Sequence, residues 1–291
     1  MRIGIVGYGA LGGLYGHYFR RDPGAEPFFI AAGDRYERLS ASPLSVNGTS
    51  LDIPVEEAGK AGQPADMLVF AVKHHHLPQA IEDARGHAGD STILLSVMNG
   101  IESEETIGEA FGRNHLLYAV ALGMDAVRED RSVTFTTPGK LLFGRARNEG
   151  EPDPDLAAVQ NLCDECGLPW LTPEDMIRNL WWKFMINVGI NQASAVLTAP
   201  YGTFVESGDA KTVMVSAMEE VIEIASKRNV DIGRNDIETF ADEVLPSMSP
   251  EGKTSMCQDV EAQRKTEVEM FSGTVMRIGR EYGVPTPVNR T

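Results

Sequence analysis

The hydrophobic positions in the first half of the chain form short continuous runs. Such runs, rich in Val, Ile, Leu and Phe, are typical of strands that are covered on both faces of a parallel sheet. Five of them are RIGIVG, PFFIAA, ADMLVFAV, STILLSV and HLLYAVAL. Helix-length segments, including HLPQAIEDARGHA and SEETIGEAFG, lie between several of them. This alternation predicts βαβ units and a parallel sheet.

The pattern changes in the second half of the chain. SVTFTTPGKLLFG first predicts a hairpin with PG at its turn, adding antiparallel strands at the sheet edge. From about residue 173 the apolar positions follow a helical repeat. The segments concerned are MIRNLWWKFMINVGINQASAVL, AKTVMVSAMEEVIEIASKRN, RNDIETFADEVL and SMCQDVEAQRKTEVEMFSGTVMRIGREYG, the last predicted as one long helix. We therefore predict an α/β domain over residues 1–172 and an all-α domain over residues 173–291.

A polar stripe interrupts the first of these helical segments. KFMINVGINQ carries Lys183, Asn187 and Asn191 among Phe, Met, Ile and Val. At about 100° per residue, steps of four residues place the three on one slowly drifting face. Burying an unpaired ammonium and two unpaired amides costs free energy, so protein partners or a polar ligand must satisfy them.

The N-terminal run leads into a GxGxxG motif, formed by Gly7, Tyr8, Gly9, Ala10, Leu11 and Gly12. It follows a predicted strand and opens a helical segment, which is the arrangement of a Rossmann dinucleotide site. Gly7 permits the tight turn, Gly9 lets the backbone approach a pyrophosphate, and Gly12 lets the helix pack close to the strand. The alternative is a glycine-rich turn without a ligand.

The choice of dinucleotide depends on the end of the second strand. Asp34 lies near the spacing of the acidic residue that reads a ribose hydroxyl, but AAGD indicates that the strand has already ended. Ala31 and Ala32 occupy the ribose-reading positions, and neither would repel a 2′-phosphate. Arg35 or Arg38 is close enough in sequence to reach that phosphate. The pattern favours NADP.

Three polar residues at predicted element ends are further candidate ligand contacts. Lys73 follows LVFAV and Asn99 follows ILLSVM, at the sheet edge where ligands bind in α/β folds. Ser255 lies near the start of a predicted helix, where free N–H groups favour a carboxylate. The alternatives are solvated loops for the first two residues and a simple N-cap at Thr254 or Ser255.

Composition narrows the classes of function. A formal charge of -16 over 291 residues argues against a nucleic-acid or anionic-membrane surface. No apolar run approaches the ~18 residues of a membrane span, so a cytoplasmic protein is expected. Three cysteines fit a reducing compartment. Cys163 and Cys166 lack a second ligand pair, and the three histidines 74–76 project in different directions, so no metal site is predicted.

Several motifs together resemble the ketopantoate reductase, or 2-dehydropantoate 2-reductase, family. They are the glycine loop, AVK after one strand, NG after the next, WWKFMINVGIN, TSMCQDVEAQRKTEVEMFSG and GVPTPVN. The resemblance covers nearly the whole chain. It implies a Rossmann domain followed by a helical domain, and NADPH-dependent reduction of 2-dehydropantoate to D-pantoate on the route to pantothenate and coenzyme A.

The resemblance also assigns roles to residues. Lys183 matches the catalytic lysine of the family, acting as general acid, and Glu267 matches its acidic partner. Asn187 and Asn191 match the amides that hold the substrate, Ser255 matches its carboxylate contact, and Lys73 and Asn99 match residues near the nicotinamide. The substrate would then be what keeps the stripe polar.

The chain departs from the family pattern at a few positions. The family commonly has Arg near Ala32, Gln near His76 and Asn near Tyr201, so we expect only modest discrimination between NADPH and NADH. The alternatives are a reductase of another 2-keto acid, a 3-hydroxyacid dehydrogenase of the 6-phosphogluconate type, and a non-catalytic NADP-sensing protein. The expected partner is a small-molecule substrate. The sequence leaves the oligomeric state open, with a homodimer as one candidate.

Overall fold

The computed structural model describes residues 1–60 and 62–291. The chain divides into two compact units, Met1–Met176 and Ile177–Thr291. The first unit combines strands and helices around a large, mainly parallel sheet, and the second is helical. The predicted fold class is confirmed. The predicted division into two functional domains after residue 172 stays a prediction.

Twelve strands and five helices make up the described part of the first unit. The strands are β1 (Arg2–Val6), β2 (Glu26–Ala31), β3 (Leu44–Val46), β4 (Thr49–Leu51), β5 (Val55–Glu57), β6 (Met67–Phe70), β7 (Ile93–Ser96), β8 (Leu116–Leu122), β9 (Val127–Glu129), β10 (Ser132–Thr134), β11 (Lys140–Gly144) and β12 (Trp170–Leu171). The helices are α1 (Ala10–Phe19), α2 (Gly33–Ala41), α3 (Leu77–Ala84), α4 (Ser103–Phe111) and α5 (Pro154–Cys166). Short 3₁₀ turns lie at His74–His76 and Arg85–His87.

The main sheet has the strand order β12-β11-β8-β7-β6-β1-β2-β5. The pairs from β5 to β8 are all parallel. The five predicted strands are β1, β2, β6, β7 and β8, and they are neighbours in this sheet. Chain order reverses direction at β1, whose two neighbours are β2 and β6, so the carboxyl ends of β1 and β6 form the switch point at which α/β sheets bind ligands.

Both faces of this sheet are buried. Along β6, Met67 and Val69 belong to one core cluster, which also includes residues of α1 and α5. Leu68 and Phe70 belong to a second cluster, which includes residues of α3 and α4. Because successive side chains of a strand point to opposite faces, burial on both faces requires continuous apolar runs, as observed in the sequence.

The predicted hairpin is wrong. Its first arm, β10, lies in a separate sheet of order β4-β3-β10-β9, whereas its second arm, β11, pairs antiparallel with β8 in the main sheet, between β8 and the edge strand β12. Polar side chains hold the intervening segment: Asn47 exchanges hydrogen bonds with the backbone of Phe135, and Asp125 accepts from the Thr136 N–H at 3.0 Å. These bonds hold the segment after β10 against Asn47 and Asp125, so β11 does not pair with β10.

The second unit contains most of α6 (Met176–Ile186) and all of the helices that follow. These are α7 (Gln192–Leu197), α8 (Tyr201–Glu206), α9 (Gly208–Lys227), α10 (Arg234–Thr239), α11 (Leu245–Ser247), α12 (Ser255–Glu261), α13 (Thr274–Tyr282) and α14 (Pro287–Arg290). Three π-helical turns lie at Asn187–Asn191, Phe240–Val244 and Glu269–Gly273. Helix α9 packs against α8, α13 and α14 and against the first π turn.

The single long helix predicted from residue 255 onward is also wrong. Helix α12 ends at Glu261, and Gln263 has a left-handed φ of 54°. Arg264 then folds back on Asp259, because its backbone N–H donates to the Asp259 carbonyl at 2.7 Å and its Nε to the carboxylate at 2.9 Å. Helical structure resumes only near Glu269.

Two classes of feature are absent from the described ranges. No helix there is both long and apolar enough to cross a membrane. The same residues contain no group of three His, Cys, Asp or Glu side chains that could hold a metal ion. The cytoplasmic location stays a prediction.

Candidate functional site

The glycine loop follows β1 and packs against the backbone that follows β6. Gly7 has a φ of 125°, and a Cβ atom there would lie 2.3 Å from the Ala71 carbonyl oxygen. No other residue type combines that backbone conformation with so close an approach. Gly7 is therefore required by the fold at the switch point of the sheet.

The other two motif glycines differ in what surrounds them. A Cβ atom at Gly12 would lie 2.0 Å from the Gly7 carbonyl oxygen, so Gly12 is needed for helix α1 to pack on the loop. At Gly9 the nearest atom would be the Ala71 carbonyl oxygen, at 3.9 Å. Gly9 is the N-cap of α1 and has an ordinary extended conformation. The protein itself does not require glycine there, whereas a pyrophosphate approaching the helix N-terminus would. The loop fits a dinucleotide.

Lys73 and Asn99 lie on loops at the same sheet edge. Lys73 follows β6 and directly precedes the 3₁₀ turn at His74–His76. Asn99 follows β7 and precedes Gly100, which has a φ of 101°. Both residues are partly buried. Because β7, β6 and β1 are adjacent and parallel, the structure places these two residues and the glycine loop on neighbouring strand ends.

Arg128, on β9, is a candidate cofactor residue that the sequence analysis missed. Its Nη1 donates a hydrogen bond to the Tyr8 carbonyl oxygen inside the glycine loop, and the guanidinium lies 5.7 Å from the Tyr8 ring centre. Burial, and next the charge of Arg35, lower the pKa of Arg128. Arg35 is therefore near enough to Arg128 for its charge to act on that guanidinium. Arg128 was missed because it reaches the loop as part of the small second sheet, whose short strands were not predicted from the sequence.

The polar stripe of the second unit crosses from an α-helix into a π turn. Lys183 lies in the last turn of α6, and Asn187 and Asn191 are the first and last residues of the π turn. Four α-helical residues overshoot one turn by about 40°. A π helix has more than four residues per turn, so four residues of a π turn fall short of a full turn. The two drifts oppose each other, so the π turn straightens the stripe.

The stripe is largely removed from solvent. Asn187 is 4% exposed and Asn191 is 7% exposed, while Lys183 is partly buried. Burial lowers the pKa of the Lys183 ammonium. Within residues 1–60 and 62–291, Lys183 makes no ion pair with a carboxylate and the Asn191 amide makes no hydrogen bond. Both groups therefore keep hydrogen-bonding capacity that a polar ligand could use.

Glu267 is a buried acid in the same unit, with 8% of its surface exposed. It precedes the π turn Glu269–Gly273, and its carbonyl oxygen accepts from the N–H groups of Met270 and Phe271 at 3.0 Å each. Its partnership with Lys183 stays a prediction.

The start of α12 shows which residue caps the helix, a point that the sequence left open between Thr254 and Ser255. The Thr254 hydroxyl oxygen accepts from the Cys257 N–H at 3.1 Å, so Thr254 is the N-cap. Ser255 is the first residue of the helix and is exposed. The capping interpretation therefore belongs to Thr254, and the proposed carboxylate contact of Ser255 stays a prediction.

Tyr201 packs beside this helix start. Its N–H donates to the Gly252 carbonyl oxygen at 2.9 Å, and a Cβ atom at Gly252 would lie 3.0 Å from the Tyr201 ring. Burial, and then the neighbouring Cys257, raise the pKa of the phenol. The ring thus lies against Gly252, in the loop that leads into Ser255.

Two family models match the chain. One, described as ketopantoate reductase PanE/ApbA, matches residues 3–148, and the other, described as the ketopantoate reductase PanE/ApbA C terminal, matches residues 175–291. Together they cover the glycine loop, the strand ends and the polar stripe.

Individual relatives align over almost their whole length. The 2-dehydropantoate 2-reductase of Halobacterium salinarum is 26% identical over 296 residues, covering 100% of this chain and 96% of the relative. The crystal structure of 2-dehydropantoate 2-reductase from Geobacter metallireducens has a TM-score of 0.87 and 25% identity, covering 100% of this chain and 97% of that one. A D-mandelate dehydrogenase in a ternary structure with NADH and anilino(oxo)acetate has a TM-score of 0.87 at 20% identity, covering 100% and 95%. At that identity the likeness concerns the fold alone.

Proposed function

The chain belongs to the ketopantoate reductase family, and we propose that it reduces the ketone of 2-dehydropantoate to the hydroxyl of D-pantoate with NADPH. The family consists of dinucleotide-binding oxidoreductases that act on CH–OH donors. The observation that carries the proposal is the buried stripe of Lys183, Asn187 and Asn191. In this proposal the enzyme acts in the cytoplasm, on the route to pantothenate and coenzyme A. Its assembly as a homodimer stays a prediction.

Lys183 has the chemistry of the proton donor. Hydride addition to a ketone places negative charge on the oxygen, which must be protonated or clamped as it develops. A bound nicotinamide supplies the hydride. The Lys183 ammonium donates one proton from Nζ to that oxygen and interacts electrostatically with it during the transfer. The lowered pKa of Lys183 supports this role, because a more acidic ammonium gives up its proton more readily.

Glu267 would tune this donor. A carboxylate near an ammonium stabilises the charged form and opposes the effect of burial on the lysine pKa. Glu267 is buried and lies in the same unit as Lys183, which supports its assignment as the acidic partner.

The two asparagines would recognise the substrate. Each amide offers two N–H donors and one carbonyl acceptor, so together they can bind a ketone oxygen and a hydroxyl. The buried Asn191 amide, which makes no hydrogen bond to the described residues, supports this role. Ser255 would bind the carboxylate at the start of α12.

Arg35 and Arg128 support NADPH as the cofactor. Their guanidinium groups lie close enough for Arg35 to lower the pKa of Arg128, in a chain of net charge -16. Strand β2 ends at Ala31 and Ala32 is the N-cap of α2, so no carboxylate lies at those positions. A 2′-phosphate would relieve the repulsion between the two arginines.

Steady-state oxidation of NADPH with a panel of 2-keto acids tests the proposed function. The panel contains 2-dehydropantoate, pyruvate and benzoylformate, the ketone that corresponds to mandelate. We expect the highest kcat/KM with 2-dehydropantoate. A higher value with benzoylformate would assign the chain to another 2-keto acid, and cofactor binding without turnover would indicate a sensor.

The cofactor assignment has its own test. Arg35→Ala should weaken NADPH binding about tenfold, the loss of about one charge-assisted phosphate contact, and leave NADH binding unchanged. Arg113→Ala, at an exposed arginine after α4, is the matched control. Equal weakening of both cofactors in Arg35→Ala would contradict a 2′-phosphate contact.

A further inference from the structure

Gln192 joins two parts of the second unit that are distant in sequence. It is the first residue of α7, directly after the π turn that contains Asn187 and Asn191. Its Nε2 donates to the Val188 carbonyl oxygen at 2.8 Å and to the Asn289 Oδ1 at 3.0 Å. Its Oε1 accepts from the Ser272 N–H at 3.1 Å. Both donor hydrogens and the acceptor of one side-chain amide are thus in use.

Two of these partners are backbone groups that π turns release. In an α-helix the Val188 carbonyl would accept from the backbone N–H of Gln192, but that N–H bonds to the Gly189 carbonyl instead. The Ser272 N–H would likewise donate to the Val268 carbonyl, which here accepts from the Ser272 hydroxyl at 3.5 Å. One side chain therefore satisfies a group from each π turn, Asn187–Asn191 and Glu269–Gly273.

The third partner, Asn289, is held by further hydrogen bonds to α9. Asn289 and Glu220 are both 7% exposed. Glu220, on α9, accepts from the Asn289 N–H at 3.0 Å, from its Nδ2 at 2.7 Å, and from the Val288 N–H at 2.7 Å. Asn289 Nδ2 also donates to the Ala217 carbonyl at 3.1 Å. Gln192 is therefore connected to α9 through a network of buried and partly buried hydrogen bonds.

We propose that Gln192 is a positioning residue, which fixes the turn carrying Asn187 and Asn191 relative to the segment carrying Glu267. This inference rests on the proposed function, because it concerns the alignment of the groups that would bind and protonate the keto acid. Glu267 lies two residues before the second π turn, so the hydrogen bond from Ser272 to Gln192 ties that segment to the stripe. A displacement of about 1 Å in such groups can cost about 10²-fold in rate.

Two substitutions separate positioning from simple stability. Gln192→Leu removes all three hydrogen bonds at similar size. Gln192→Glu keeps the acceptor for the Ser272 N–H but turns a carboxylate oxygen toward two carbonyl oxygens. Gln79→Leu is the matched control, since Gln79 is exposed and its amide donates to the Asp83 carboxylate, at 2.9 Å.

Turnover is measured well below the Tm of each variant. We expect kcat of Gln192→Leu to fall about 10-fold to 100-fold, with the NADPH Kd within about twofold of wild type, and Gln79→Leu to match wild type in both. We expect kcat of Gln192→Glu, relative to wild type, to recover as the pH falls, since a protonated carboxyl regains one donor. A Gln192→Leu enzyme with a lower Tm and unchanged kcat would overturn the proposal. If Gln192→Leu does not fold, wild-type turnover of Gln192→Glu at neutral pH would overturn it.

A second readout keeps this inference distinct from the proposed function. If the wild-type protein reduces no keto acid of the panel, the proposed function fails, whatever Gln192 does. Hydrogen–deuterium exchange then tests the connection directly. Peptides that cover residues 187–191 and 269–273 should both exchange faster in Gln192→Leu, and not in Gln79→Leu. Unchanged exchange in either segment would overturn the proposal.

Discussion

The glycine loop of the first unit and the polar stripe of the second unit differ in the feature that makes each a candidate ligand site. At Gly9 a side chain is missing where the protein has room for one, so the backbone N–H groups of α1 stay accessible. At Lys183, Asn187 and Asn191 polar side chains are present where an apolar helix would bury hydrocarbon. In the proposed function, the first arrangement would bind its ligand through free space and backbone N–H groups, and the second would bind it through polar side chains.

This difference teaches where each site is vulnerable. Adding atoms should damage the loop, since its function depends on close approach of a pyrophosphate. Removing atoms should damage the stripe, since in the proposed mechanism its polar groups bind and protonate the substrate. Stability and function should also respond separately at Gly9, because the fold leaves room for a side chain there.

Lys183→Ala should have the largest effect on turnover. Loss of a general acid lowers kcat by roughly 10² to 10⁴, while NADPH affinity should stay within about twofold because the glycine loop belongs to the other unit. Lys211→Ala is the matched control, since that lysine pairs with the exposed Asp242 at 2.6 Å. Near-normal turnover of Lys183→Ala in a steady-state assay would exclude Lys183 as the proton donor.

The pH dependence of wild-type kcat has a defined sign. A general acid works only in its protonated form, so kcat should fall as the pH rises through the pKa of Lys183. Burial lowers that pKa from 10.5. The decline should therefore begin at a lower pH than an exposed lysine would give, and a kcat that is flat up to pH 10.5 would contradict the assignment.

Gly9→Val should weaken NADPH binding about 10²-fold or more without loss of Tm. The valine Cβ meets no atom of the protein closer than 3.9 Å, but it occupies the approach to the helix N-terminus. Gly12→Ala makes the opposite comparison, because its Cβ would lie 2.0 Å from the Gly7 oxygen and should destabilise the unit by about 1–3 kcal/mol. Unchanged NADPH affinity of Gly9→Val, by fluorescence titration, would rule out the loop as the pyrophosphate site.

Glu104, on α4, is a buried acid in the first unit, and its effect should appear in stability. It is 2% exposed, and burial raises its pKa from 4.5 to about 7, although its hydrogen bond from the Ser103 hydroxyl at 2.9 Å opposes the shift. A raised pKa in the folded state means that the stabilising contribution is full below pH 4.5 and is lost as the pH rises through about 7.

Chemical denaturation across this pH range measures the effect. Relative to Glu104→Gln, the free energy of unfolding of wild type should fall by up to about 3 kcal/mol between pH 4.5 and 8. Glu105→Gln, at an exposed position of the same helix, should leave the pH dependence of wild type in place. A parallel pair of curves for wild type and Glu104→Gln would show that Glu104 does not titrate in this range.

The sequence predicted best what depends on long apolar patterns. The five main strands were predicted because burial on both faces forces continuous apolar runs, whereas β5, with the sequence VEE, has no such run. The break after Glu261 was missed because it depends on Arg264 folding back onto Asp259, a contact that helical periodicity does not encode. The π turn at Asn187–Asn191 was missed for a related reason. It keeps the four-residue spacing of polar positions while changing the backbone hydrogen bonds, so the stripe was visible and its geometry was not.

The candidate site shows the same limit. Glycine spacing and the polar stripe are local patterns, and they marked Gly9 and Lys183 directly. Arg128 reaches the loop through a small sheet built from distant segments, and Gln192 matters through partners at Ser272 and Asn289. Such contacts are set by tertiary packing, which one sequence does not reveal.

The claim that the substrate keeps the stripe polar is tested most directly by a ratio of two kcat/KM values. 2-Dehydropantoate and 2-keto-3,3-dimethylbutanoate differ only in a hydroxyl group, and a pocket built to bind that hydroxyl leaves buried amides unpaired when it is missing. We predict that wild type prefers 2-dehydropantoate by at least about 10²-fold, and that Asn191→Leu loses most of this preference. Equal values in wild type, or a preference for the analogue, would mean that Asn187 and Asn191 do not read a hydroxyl and that the physiological substrate is another 2-keto acid.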